Sequence, residues 1–267
     1  LTGLIAIQHR GQDAAGIVTF ENKFEIKKGL GLVREVFEDK HLDRLQGSAA
    51  VGHVRYPTVG SGGGTDVQPF TIDFPVGITM AHNGNVTNFQ ELKRTYFNDR
   101  NIHLNSNCDL EAVLYVFAGA LIKAMDGGPV TGESVRAAVS EVFTVVKGAY
   151  SVVGHIAGGG MFAFRDPFGI KPVIMGEKDT RQGKVYAVAS ESVVLDVASY
   201  SNHRDLKAGE LLWIDESRQP QFFQVGDKPH RPCIFEYMYF ARPDSTLDGV
   251  SVYRARMESG KRLAEAW

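Results

Sequence analysis

Four short polar clusters in this 267-residue chain carry side chains able to do chemistry: His9–Asp13, Arg55–Thr58, His82–Asn85 and Asn107–Asp109. An arginine can hold a carboxylate through two parallel hydrogen bonds. An aspartate can hold an ammonium group. An asparagine amide beside a glycine N–H can stabilise the oxyanion of an acyl transfer. Arg55, Asp109, Asn83 and Gly84 therefore supply the parts needed to bind a free α-amino acid and to stabilise a tetrahedral intermediate on its side chain. Each also has an ordinary reading. Arg55 could be a surface ion pair, Asp109 the carboxylate favoured at a helix start, and Asn83-Gly84 a turn whose residues tolerate positive φ.

The clusters sit at the ends of predicted elements. Leu1, Leu4, Ile5 and Gln8 lie near helical spacing, so 1–8 reads as the end of a helix. Strands are predicted over 14–20 and 24–28, an amphipathic helix over 33–45, and a strand over 49–55. A glycine-dominated loop covers 59–65. Strands over 70–72 and 76–80 follow, the second running straight into His82–Asn85. Thr87 with Gln90 three residues on has capping-box form and opens a helix over 88–96. The longest apolar helix spans 109–124, and another spans 135–146. Strands then dominate, at 149–156, 161–165, 172–175, 185–190, 210–214 and 221–225, separated by turns rich in Gly, Pro, Asp or Asn.

Strands, then helices, then strands, without βαβ alternation, predict an α+β protein of layered antiparallel sheets with helices outside. The run Ala157-Gly158-Gly159-Gly160 is followed by no helix and reads as a hairpin turn, not a dinucleotide fingerprint. The polar stretch DKPHRP at 227–232 marks a boundary. Beyond it, 233–245 and a helix over 251–266 read as the opening of another unit, because so short a piece buries no core of its own.

Bulk properties narrow the classes of function. A formal charge of −2 offers no basic field for nucleic acid. No apolar run approaches a membrane span. Two cysteines, Cys108 and Cys233, make no disulfide scaffold and fit a reducing, cytoplasmic compartment. The first residues, LTGLIAIQHRG, lack the basic region of a signal peptide. They begin in mid-element and Trp267 ends a helical pattern, so a fragment at both ends is expected.

Seven stretches carry a family resemblance: IQHRGQDAAGIVTF (7–20), GHVRYPTVGS (52–61), QPF (68–70), AHNGNVTN (81–88), FRDPFGIKP (164–172), VASES (188–192) and CIFEYMYFARPDS (233–245). In this order they resemble the glutamine phosphoribosylpyrophosphate amidotransferases over essentially the whole chain. HRGQDAAG, GHVRYPT and AHNGN are shared in spirit with other glutamine amidotransferases; YFARPDS is the specific signal. The resemblance implies an N-terminal-nucleophile hydrolase domain, a four-layer α/β/β/α sandwich of two antiparallel sheets, over 1–229. Residues 230–267 would open a phosphoribosyltransferase domain.

It also implies a chemistry. A cysteine at the mature N-terminus attacks the glutamine amide, its own α-amino group serving as base. Ammonia then passes to phosphoribosyl pyrophosphate, giving 5-phosphoribosylamine, glutamate and diphosphate in purine biosynthesis. Carried onto this chain, Arg55 would anchor the glutamine α-carboxylate and Asp109 the α-ammonium. Asn83 and Gly84 would form the oxyanion hole, and Tyr56 and Thr58 would lie on a loop closing over glutamine. Arg10 would support the nucleophile's surroundings or be purely structural. His53 and His82 are read as structural. Partners implied are glutamine, phosphoribosyl pyrophosphate, nucleotide feedback inhibitors and further copies of the chain.

The pattern breaks at the nucleophile, which precedes the segment where this chain begins; the chain as shown is therefore expected to be inactive. Cys108 reads as a small buried residue. Cys233 resembles a position that ligates a [4Fe-4S] cluster in some members; one cysteine holds no cluster, and the other ligands would come from outside these residues. Mg2+ would act at the phosphoribosyltransferase site, outside these residues. Two alternatives remain open: the glutaminase half of another enzyme of this class, and a non-catalytic relative that binds glutamine as a sensor.

Overall fold

The structure, a computed structural model, describes residues 1–56 and 64–267. The first part of the chain runs α1 (Thr2–Ala6), a 3-10 turn (Gln8–Arg10), β1 (Ala14–Phe20), β2 (Phe24–Leu30), α2 (Val33–Val36), α3 (Asp39–Leu42) and β3 (Ala49–Arg55). Then come β4 (Phe70–Ile72), β5 (Ile78–Val86), α4 (Phe89–Leu92), a π-turn (Lys93–Phe97), α5 (Asp109–Met125) and α6 (Gly132–Val145). The strand-rich part holds β6 (Gly148–Ile156), β7 (Gly160–Arg165), β8 (Ile174–Thr180), β9 (Gly183–Ala189), α7 (Ser192–Val197), β10 (Ser201–Asp205), β11 (Glu210–Asp215) and β12 (Gln221–Gln224). A π-turn (Glu236–Phe240), the small hairpin β13 (Thr246–Leu247) and β14 (Val250–Ser251), and α8 (Val252–Ala266) close the chain.

These elements form four layers. A six-stranded antiparallel sheet, β12-β11-β7-β6-β5-β4, carries α5 and α6 on one face. Val113, Leu114, Phe117 and Val139 from the helices are fully buried there against Phe162, Phe164 and Trp213 from the strands. Burying a side chain of this size contributes roughly 1.5–3 kcal/mol, so this interface is the main core. The other face meets two three-stranded antiparallel sheets, β2-β1-β3 and β10-β8-β9. Their outer sides are covered by α1 with α2 and by α7. The sandwich is the one expected, with its second β layer in two pieces. The edge of each piece that ends it, β3 in one and β9 in the other, lines one common cavity.

Several local expectations fail for identifiable reasons. The helix expected over 33–45 is two single turns, interrupted where Phe37 takes an extended conformation. This break lets Val33, Val36 and Phe37 all pack on Leu4, Ala15 and Val54. The Glu38 N–H then donates to His41 Nδ1, restarting the second turn. The capping box at Thr87 does not form: Thr87 Oγ1 donates to the Lys147 carbonyl, and the helix starts one residue later. Both α7 and β10 were missed. The hairpin turn between β6 and β7 lies where the glycine run put it. The loop expected over 59–65 lies largely outside the described residues.

The segment after residue 230 is bound to the body. The Arg231 and Cys233 N–H groups donate to the carbonyls of Phe168 and Ile170. Buried Arg165 donates to both carboxylate oxygens of Asp248, at 2.6 and 2.9 Å. Among the described residues no helix is long and apolar enough to cross a membrane.

Candidate active site

The sharpest departure from the local sequence reading is also the most informative. The predicted strand end at Met80 and turn at His82–Asn85 are one continuous strand, β5, paired with β6 throughout. Asn83 faces Ser151 across the ladder and Gly84 faces Tyr150. Gly84 is therefore not a turn residue. A Cβ there would lie 2.7 Å from Tyr150 Cα and closer still to the Ala149 carbonyl, so the packing of β6 alone demands glycine.

Backbone alternation explains how a strand can also present donors. The His82 N–H donates to Gln68 Oε1 at 2.8 Å, and the Val86 N–H to Asp109 Oδ2 at 2.7 Å. Both point away from β6, past the end of the short β4 ladder. Gly84 lies between them, so the two-residue period of a strand turns its N–H to the same side. The side-chain amide nitrogen of Asn83 is shielded from solvent and has no hydrogen-bond partner among the described residues. Leaving a buried donor unmade costs roughly 1–3 kcal/mol.

Asn83 and Gly84 line a cavity of about 710 Å³, bounded also by Arg55, Tyr56, His82 and Asp109. The cavity is formed where β3 and β9 approach the face of β5 and β6, at one end of α5. Arg55 is the last residue of β3 and is buried, with its Nη2 3.6 Å from Asp66 Oδ2. Tyr56, next along, is 67% exposed at the mouth. Thr58 lies outside the described residues. Asp109 opens α5, where its charge meets the positive end of the helix. Arg55, Tyr56, Asn83, Gly84 and Asp109, which the sequence reading grouped together, all line this one cavity.

His82 was read as structural, yet it belongs to this wall. Its Nε2 lies 3.2 Å from Asp109 Oδ1. Burial works against an imidazolium here, but the Asp109 charge outweighs it and, with the Cys108 contact, raises His82 to about 9. Burial likewise opposes the Asp109 carboxylate, and the His82 charge and hydrogen bond hold it below its usual range. His53 Nε2–H donates to the His82 carbonyl, 3.1 Å away. Burial and the nearby His82 charge push it down to about 3, so it stays neutral. Cys108 is buried as expected, with Gln68 Nε2 donating to its Sγ at 3.6 Å.

Arg10 stands at another wall of the cavity, in an ionic cluster the sequence did not reveal. Its guanidinium donates to Glu191 and, at 2.6 Å, to Glu236 Oε2. Lys171 Nζ donates to the other Glu236 oxygen at 3.1 Å. Glu191 also contacts His9 Nε2 at 2.8 Å and accepts from the Arg242 N–H and Ser245 hydroxyl. Both glutamates are buried. They tie the wall around Arg10 to the segment 236–245. The motifs VASES and EYMYFARPDS contain these residues, but nothing in either pattern says that they meet.

The chain's two cysteines stand in different parts of the fold. Cys108 lies in the cavity wall and Cys233 in the segment after the boundary, and a four-thiolate cluster needs four such ligands.

Comparison with known proteins agrees with this architecture. Residues 53–197 match the glutamine amidotransferase domain family. The amidophosphoribosyltransferase of Escherichia coli (strain K12) is 46% identical over 98% of this chain and 52% of its own length. That of Saccharomyces cerevisiae is 44% identical over 98% of this chain and 53% of its own. The solved glutamine phosphoribosylpyrophosphate amidotransferase from B. subtilis, complexed with ADP and GMP, superposes with a TM-score of 0.83 at 32% identity. It covers 99% of this chain and 54% of that one. The chain spans about half the length of these relatives. This chain belongs to the glutamine amidotransferase family, and over almost its whole length it is similar to one half of the amidophosphoribosyltransferases.

Proposed function

We propose that this chain is the glutamine-hydrolysing part of an amidophosphoribosyltransferase. The observation that carries the reading is the pair of donors on β5. A shielded asparagine amide nitrogen with no partner among the described residues and a neighbouring glycine line one cavity that also holds a buried arginine and a buried aspartate. Arg55 receives the α-carboxylate of glutamine and Asp109 its α-ammonium, while Tyr56 sits at the mouth. This leaves the side-chain amide beside Asn83 and Gly84.

The nucleophile on this reading is a cysteine thiol at a processed N-terminus, carried on a strand that enters between β3 and β9. The thiolate attacks the amide carbon, and the electrons of the C=O bond move onto oxygen. Asn83 Nδ2 and the Gly84 N–H hold that oxyanion. The cysteine's α-amino group moves the thiol proton to the leaving nitrogen, which departs as ammonia. Water then attacks the thioester and releases glutamate and the thiol. Arg10, fixed by Glu191 and Glu236, positions the wall next to this strand.

In the whole protein the ammonia attacks phosphoribosyl pyrophosphate, giving 5-phosphoribosylamine and diphosphate, the first committed step of purine synthesis. Mg2+ would accompany the pyrophosphate substrate in a second domain, of which 230–267 is the opening and 1–229 the glutaminase partner. Nucleotide feedback inhibition, self-association and a cytoplasmic location complete the proposal. A relative complexed with ADP and GMP supports the part played by nucleotides. The test is Asn83→Ala in the full-length protein. Loss of one oxyanion donor lowers kcat for glutamate release by about 10²–10³ with little change in KM. An unchanged kcat would overturn the reading.

A further inference from the structure

Beside the oxyanion donors, three side chains of different chemistry converge: an imidazole nitrogen of His82, Cys108 Sγ and one carboxylate oxygen of Asp109, all within 4.8 Å of one another. We propose that these three form a binding site for a thiophilic divalent cation of the Zn2+ class, and that its occupation shuts the glutamine pocket. The second half of this inference rests on the assignment of Asp109 to the glutamine α-ammonium.

The argument is geometric and chemical. A tetrahedral zinc centre with nitrogen, oxygen and sulfur ligands sets neighbouring donors about 3.4–3.6 Å apart. Here the imidazole nitrogen and carboxylate oxygen are separated by 3.2 Å, and the sulfur and the same oxygen by 3.9 Å. Those two sides lie within a few tenths of an ångström of that spacing, and the third, from imidazole to sulfur, is within 4.8 Å. Thiolate with imidazole suits zinc among the common divalent ions, whereas a carboxylate-only cluster would suit magnesium or calcium. One thiolate and one carboxylate together balance the ion's double charge.

All three residues line the cavity of about 710 Å³, which gives an ion a route in. The frame is already braced. Gln68 donates to the sulfur at 3.6 Å and accepts from the His82 N–H at 2.8 Å, while Asp109 Oδ2 is held by the Val86 N–H at 2.7 Å, leaving Oδ1 as the ligand. Binding displaces the protons that His82 and Cys108 carry. It also withdraws Asp109 from the ammonium it would otherwise receive.

The experiment titrates chelator-treated full-length protein with Zn2+ by equilibrium dialysis and with Co2+ by absorbance, where thiolate ligation gives a charge-transfer band. One ion per chain and a thiolate band are expected. In Cys108→Ser the band is lost, and affinity falls by more than the roughly 100-fold that loss of an outer partner can cost. His82→Gln, checked for unchanged circular dichroism, serves as the second variant and weakens binding likewise. Binding that both variants leave intact, or no binding by wild type, overturns the site. Excess L-glutamine is expected to weaken Zn2+ binding. If Cys108-dependent binding is seen but glutamine leaves it unchanged, the metal site stands and the glutamine assignment of Asp109 falls. If glutamine is hydrolysed normally and no ion binds, only the metal site falls.

Discussion

Replacing Glu191 by Gln tests how firmly the cavity wall is tied to the segment that follows it. Glu191 has no exposed side-chain surface and meets His9, Arg10, the Arg242 N–H and the Ser245 hydroxyl. Burial alone would raise its carboxyl. The His9 hydrogen bond, the Arg10 charge and the Arg242 and Ser245 donors overcome that and hold it at about 2. At about 1.4 kcal/mol per tenfold, a carboxyl held there from an ordinary value near 4.5 contributes about 3 kcal/mol at neutral pH. That figure agrees with the roughly 3–5 kcal/mol lost when one partner of a buried pair is removed. Arg10 retains Glu236 in the variant, which favours the lower end. The midpoint of thermal unfolding of the full-length protein should fall too, by less per kcal/mol than the roughly 2–4 °C of a 150–250-residue chain.

The pH dependence gives the sign. The folded value lies below the unfolded one, so the stabilisation is complete above about 4.5 and is lost as pH falls toward about 2. Urea unfolding of full-length wild type and variant should therefore differ by about 3 kcal/mol from pH 7 down to about 5.5. Below that the two should converge. A difference under about 1 kcal/mol at pH 7, or one that persists undiminished at pH 3, would refute the reasoning.

Two further substitutions separate chemistry from packing. Gly84→Ala drives a methyl group into β6, so it should destabilise by about 1–3 kcal/mol or more as well as abolish turnover, whereas Asn83→Ala should leave the unfolding midpoint nearly unchanged. His155 packs against Phe20 with ring centroids 4.7 Å apart, and burial lowers it to about 4. The unfolded chain takes up that proton at higher pH, so stability is lost as pH falls from 6.5 toward 4. His155→Leu should remove this loss, stabilising by about 2 kcal/mol more at pH 5 than at pH 8; equal effects at the two pH values would count against it.

The candidate site was legible because its parts fall at strand and helix ends that the local pattern marks. Arg55 closes a strand, and Asp109 opens the longest apolar helix. Asn83-Gly84 misled at the level of local structure, since the same residues that favour a turn are here held flat by the β6 ladder. Tertiary packing also broke the helix at Phe37, because three apolar side chains reach one core only if the backbone extends there. What stayed invisible were contacts between residues far apart in sequence. Arg10 meets Glu191 and Glu236, and Arg165 meets Asp248, through arrangements that no local spacing encodes. His82 shows the same limit: a histidine beside a strand end looks like core until Asp109 arrives from another element.

The central claim is that the cavity beside β5 holds the reacting amide of glutamine. The most direct measurement is a crystal structure of the full-length protein acylated by an electrophilic glutamine analogue. The account predicts the acyl oxygen about 2.7–3.1 Å from both Asn83 Nδ2 and the Gly84 nitrogen, with the analogue's α-carboxylate on Arg55. An acyl group attached elsewhere, or one whose oxygen contacts neither donor, would contradict it.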